Sequence, residues 1–170
     1  SVVVPDDHDV YHGNVWGNAG VREPETGDLT VQDRGGYKMP PEFVNAVHRT
    51  QVEHLPAPRG EPTLEVGITT YHTTLSWGGG SFAVLADRMY KSPPAVVVTE
   101  GRVRNGWALE PEFDPARGAD VEGAVLLGSS QLDMLEQWGA SWPADAWFKA
   151  CLSQTPFANV ATIPETANSG

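Results

Sequence analysis

The sequence predicts an α+β domain, an antiparallel β-sheet with two or three helices packed on one face, preceded by an extended N-terminal arm. Three observations point there. A helical apolar period starts at Pro40-Pro41, strand-like alternation fills 63–77, and Ser130 opens a second helix. The 170 residues divide into an acidic arm (1–36), one domain (37–164) and a flexible tail (165–170).

The arm is rich in Gly, Asp and Asn and lacks a regular apolar period. Short strands are expected at 2–4 and 28–32, and seven acidic against two basic residues give it a local charge of −5. The first helix is expected over 41–55, where Phe43, Val44, Val47, Gln51 and Leu55 fall near one face. Proline suits its first turn, because the missing N–H has no intrahelical partner there anyway. The run PAPRGEP at 56–62 ends it.

Residues 63–69 and 72–77 read as two strands joined by a bend near Tyr71. Leu64, Val66, Ile68 and Thr70 point one way, and Glu65, Gly67, Thr69 and Tyr71 the other. Gly78-Gly79-Gly80 breaks the chain, and 81–90 fits strand and helix equally well. Residues 95–99 read as strand, and Asn105-Gly106 marks a hairpin within 102–109. An acidic loop covers 110–121, and 123–127 reads as a short strand. Ser130 with Asp133 makes a capping-box-like helix start, and Gly139 ends that helix. Ser141 and Pro143 begin a second short helix running to Leu152, which Pro156 prevents from continuing. A last strand is expected at 158–163.

Net charge is −11, from 22 acidic and 11 basic residues. So acidic a chain repels phosphates, which argues against nucleic acid and for a basic protein partner. The charge also serves solubility. Three Lys against eight Arg fit a high-GC bacterial or phage source. No run of apolar residues is long enough for a membrane span, and SVVVPDDHDV has no signal-peptide pattern, so a cytoplasmic location is expected. The one cysteine, Cys151, lies in the apolar run AWFKACL and reads as a small buried hydrophobe.

Catalytic and metal signatures are sparse, and no cofactor is expected. Asp6, Asp7, His8, Asp9 and His12 read as a solvated acidic arm rather than a metal site, since Pro5 argues against the helix that would align the histidines. His72-Thr73-Thr74-Leu75 resembles one half of the signature of two-histidine phosphoesterases, but no histidine follows it. Gly78–Gly80 lacks the Lys of a phosphate loop, and Ser76 and Ser81 lack a nucleophile elbow. No catalytic residue is therefore assigned. The contact candidates are aromatic and acidic: Trp77, Trp107, Glu110, Glu112, Asp114 and Trp142. Trp138 and Trp147 read as mostly buried.

Two blocks, PTLEVGITTYHTTLSWGGGSF at 62–82 and VEGAVLLGSSQLDMLEQWGASWPADAWF at 121–148, resemble an immunity-protein family of bacterial polymorphic toxin systems, including members that neutralise deaminase toxins. In the second block Trp147 matches the family's closing Trp. The helix at 41–55 falls where the family has its first helix, so the likeness spans about residues 38–150. The arm is longer than in that family, and the break before Pro143 is shorter. The resemblance implies a non-enzymatic protein that blocks a cognate toxin through an acidic and aromatic surface. Two alternatives remain open. One is a capsid or tail component of a phage, located in the virion and assembling through its arm. The other is a phosphoesterase-like enzyme using His72.

Overall fold

The computed structural model describes residues 1–10, 16–21, 33–60, 62–99, 101–104 and 106–155. The strands expected at 28–32 and 158–163, the tail at 165–170, and His12 lie outside them.

Residues 1–6 form no strand; the chain instead makes one helical turn, α1 (Asp7–Val10). Val10 and Trp16 are buried, so parts of 1–36 lie against the body, while Val2 and Val3 are exposed. Trp16 stacks with Lys91, whose Nζ is 4.9 Å from the ring centroid, and with the Arg88 guanidinium at 5.7 Å.

Helix α2 (Pro41–Gln51) places Val44, Val47, His48 and Gln51 inward at the i, i+3, i+4, i+7 spacing. It stops four residues before the expected end at Leu55, giving way to a turn at 52–54 ahead of Pro56 and Pro58. The strand expected at 63–69 is also not formed. Thr63 and Thr69 make an isolated bridge around a 3₁₀ turn, Glu65–Gly67, with Val66 at φ 53° and Gly67 at φ 81°. Asn45 of α2 holds this turn. Its amide donates to the Gly67 carbonyl at 3.0 Å, and its oxygen accepts from the Thr69 N–H at 2.8 Å. One side chain thus satisfies backbone groups that a strand would have paired.

Strands β1 (Thr73–Trp77) and β2 (Gly80–Val84) form an antiparallel hairpin. Gly78 (φ 59°) and Gly79 (φ 78°) supply the two positive φ angles of a type I′ turn. The ambiguous stretch 81–90 divides between β2 and a helical turn, α3 (Asp87–Tyr90). The strand expected at 95–99 is a helical turn, α4 (Pro94–Val97), because Pro93-Pro94 favours a helix start and removes two ladder donors. The Asn-Gly hairpin forms as β3 (Val103–Arg104) and β4 (Trp107–Ala108). The acidic loop includes a turn, α5 (Pro115–Gly118), and the strand expected at 123–127 is replaced by turns.

Helix α6 (Ser129–Ala140) starts as the sequence suggests but is not capped by Ser130. Gly128 occupies the cap at φ 73°, and the Ser130 hydroxyl turns to His72 and to the Arg59 carbonyl instead. Gly139 does not stop the helix, which runs one residue further. The expected helix 141–152 is the largest correction: 148–152 is a strand, β5 (Phe148–Leu152), parallel to β2. Phe148, Ala150 and Leu152 alternate with Lys149 and Cys151, and the open edge of β2 supplies a partner that local propensity does not foresee.

The sheet order is β1-β2-β5, mixed rather than wholly antiparallel. The α+β class is as expected, but the two long helices attach to opposite faces. Val84, Leu75 and Leu152 belong to the cluster of Val44, Val47, Ile68 and Met89 on the α2 side. Ala83, one residue from Val84 and so on the other face, joins Leu85, Met134, Leu135 and Trp138 of the α6 side. Burying a side chain such as Ile68 or Val44 completely contributes about 1.5–3 kcal/mol.

Candidate functional site

Two regions carry chemistry. The first is a cleft of about 900 Å³ between α6 and the face of the sheet bearing Thr74, Ser76 and Ser81. Arg59, Ser129, Ser130, Asp133, Gln137 and Trp138 also line it. Behind Ser130 lies His72, which is fully buried. Its Nε2 is 3.0 Å from Ser130 Oγ, and its Nδ1 is 2.8 Å from Thr70 Oγ1. Burial holds its pKa below the ordinary histidine value. The Tyr90 ring meets its edge at 5.9 Å. Gly60 passes directly over this pair, and a Cβ there would overlap Ser130 Oγ.

Nearby, two polar anchors fix α6 to the sheet. The fully buried Gln131 accepts from the Ala86 N–H at 2.7 Å and donates to the Leu127 carbonyl at 2.6 Å. The Trp138 indole N–H donates to Ser81 Oγ at 2.8 Å.

The second region is the end of the sheet at the β1–β2 turn. Trp77 is 79% exposed and Trp147, expected to be buried, is 75% exposed. The Trp147 N–H donates to the Gly79 carbonyl at 2.9 Å, which fixes it beside the turn. Trp77 and Phe148 flank Gly80 on one face, and Phe148 meets the rings of Phe82 at 5.5 Å and Trp147 at 4.7 Å. Trp142 is 58% exposed, and Lys149 Nζ lies 4.7 Å from its ring centroid. Lys149 also donates to the carbonyls of Trp138, Gly139 and Ser141, so its ammonium closes the end of α6.

The remaining contact candidates lie apart from that end, on and after β4. Trp107 is half exposed, next to Gly106, which rests against the Trp16 ring. Glu110 is occupied: Arg102 donates to it from Nε at 2.6 Å and from its backbone N–H at 2.8 Å, and these bonds hold its pKa below the usual value. Asp114 starts α5 by accepting from the Ala116 N–H at 3.0 Å and faces Arg117 Nε at 3.3 Å. Glu112 is exposed. Cys151, expected to be buried, is exposed on β5. Among the described residues, no three His, Cys or carboxylate side chains converge as metal ligands. No helix among them is long and apolar enough to cross a membrane.

Sequence reasoning missed two arrangements. Ser130 and His72 are 58 positions apart, and nothing in either local motif announces the pair. The exposure of Trp147 follows from its place just before β5, where its N–H bonds the Gly79 carbonyl of a turn 68 positions earlier. No known family model, curated protein or solved structure matches the chain.

Proposed function

We propose that the chain is a protein-binding module of the immunity type, which engages a basic partner protein such as a cognate toxin through the tryptophan end of its sheet. The carrying observation is the exposure of Trp77 and Trp147 beside the β1–β2 turn, with Trp142 exposed over Lys149. Tryptophan contributes most of its binding free energy when such rings are desolvated at the centre of an interface. The net charge of −11 favours a cationic partner and accelerates encounter with it. With Glu110 paired to Arg102 and Asp114 to Arg117, Glu112 is the acid among the contact candidates left to act at long range. Cytoplasmic residence and the absence of a nucleic-acid role belong to the same reading.

The test is binding to a basic toxin domain, taken from the gene neighbourhood where one is encoded there, by calorimetry at two salt concentrations. Trp77→Ala and Trp147→Ala should each weaken Kd by about 30-fold, a hot-spot loss of ~2 kcal/mol. Wild-type affinity in both variants overturns the placement. A large symmetric assembly of the isolated chain by light scattering overturns the immunity reading in favour of a particle component.

A further inference from the structure

We propose that Ser130 is a nucleophile activated by His72, and that the cleft it lines takes short-chain carboxylic esters of polar, uncharged alcohols. This goes beyond the binding role, because neither residue belongs to the tryptophan end.

The geometry has the parts that acyl transfer needs. The nucleophile and base are 3.0 Å apart, within proton-transfer reach. The base is oriented from its other nitrogen by Thr70 at 2.8 Å. With Nδ1–H donated to Thr70 Oγ1, the Nε2 lone pair faces Ser130. Buried and neutral, His72 is in the form a base requires.

Ser130 sits in the first turn of the twelve-residue helix α6. The first bond of that turn runs from the Leu132 N–H to the Gly128 carbonyl at 3.2 Å. The N–H groups before it have no intrahelical acceptor, and the positive end of the helix dipole lies there. Developing negative charge on a carbonyl oxygen beside Ser130 would meet those donors. Gly60, at φ 89°, lies against Oγ so closely that any side chain there would overlap it.

The cleft walls argue for the substrate class. Thr74, Ser76, Ser81, Gln137 and Ser141 offer neutral donors and acceptors, with Leu75 and Met134 between them. Arg59 and Asp133 place one charge of each sign on the walls, so the lining favours neither an anionic nor a cationic substrate. In the reaction, Ser130 Oγ bonds to the ester carbonyl carbon while His72 Nε2 takes its proton. The carbon–oxygen bond to the alcohol breaks, and His72 returns the proton to the leaving oxygen. Water then attacks the acyl-serine, with His72 again accepting and returning a proton, releasing the acid and restoring Ser130.

The experiment treats the whole folded chain with a fluorophosphonate and maps the adduct by mass spectrometry, with p-nitrophenyl acetate as a turnover probe. One adduct per chain is expected, on Ser130, with none in Ser130→Ala. His72→Gln should slow labelling about a hundredfold or more. Thr70→Val, which removes only the orienting hydroxyl, should shift the pH midpoint of labelling; an unchanged profile removes Thr70 as a positioning residue. Because replacing a buried histidine risks the fold, nitrogen NMR of the unmodified protein gives a second reading. Unprotonated Nε2 supports the proposal. A proton on Nε2 makes Ser130 a mere acceptor and overturns it, as does absence of an adduct on Ser130 in folded protein. Labelling at Ser130 needs no partner protein, so failure here and failure of the binding role are separable.

Discussion

His48 and Asp7 give this fold two opposed pH dependences. His48 is buried, bonded through Nδ1 to Thr69 Oγ1 at 3.1 Å, and set edge-on to Tyr71 at 5.4 Å. Burial lowers its pKa from 6.5 to about 4. Between those values the unfolded chain binds more protons than the folded one, so stability falls as pH drops from about 6.5 to about 4. Asp7 works in the opposite sense. Burial, followed by its hydrogen bond to Asp6, raises its pKa from 3.8 to about 6. Its charge therefore costs stability above pH 6, and that cost disappears on acidification. The two windows overlap, so single variants are needed to separate them. The stability difference between wild type and His48→Gln should move by roughly 3 kcal/mol in the variant's favour between pH 7 and pH 4. Asp7→Asn should stabilise at pH 7 and do nothing near pH 3. Urea midpoints across that range measure both. A pH-independent His48→Gln difference would show that this ring titrates alike folded and unfolded.

At the scale of elements, the ends of α6 are finished by other parts of the chain. Its own last turn has no basic residue, and Lys149 from β5 supplies the cation. Lys149→Met keeps the aliphatic stem against Trp138 and Trp142 but leaves three carbonyls without their donor. It should cost about 1.5–3 kcal/mol in urea unfolding with an unchanged slope. A loss within a few tenths of a kcal/mol would mean that water replaces the ammonium. This dependence also explains which elements could be read in advance. The helix behind Pro40-Pro41, the Asn-Gly hairpin and the Gly-Gly turn depend on local chemistry, and they form where expected. Residues 148–152 become strand only because β2 offers an edge. Asn45 draws 65–69 into a turn from a distant helix, and a proline pair diverts 95–99. The class of the fold was legible; the parallel strand and the two-sided placement of helices were not, because both arise from tertiary pairing. Of the contact candidates, Trp77 and Trp142 were identifiable as unpaired aromatics at element ends. The Glu110–Arg102 pair and the exposure of Trp147 were hidden by the same non-local contacts.

At the scale of the whole molecule, the central strand β2 serves two layers. One face supports the large cluster with α2, and the other supports α6 and the cleft. The anchors between them are polar and fully satisfied at Gln131, so the helix has one register on the sheet. The same organisation separates the two proposed activities. The tryptophan end lies at the β1–β2 turn, whereas Ser130 and His72 lie near the opposite ends of β1 and α6 from Trp77 and Trp142.

The parallel pairing of β5 with β2 has a consequence in time. Residues 85–147 must be made before the third strand can dock, so the sheet cannot be completed early in synthesis. Until Phe148–Leu152 emerges, β2 presents a bare edge to any neighbouring chain. Refolding should therefore contain a slow step in which Trp138 and Trp147 fluorescence changes after the β1–β2 hairpin has formed. A chain ending at Trp147 should aggregate rather than refold. The hairpin can form early, but the open edge of β2 is protected from other chains only when β5 arrives.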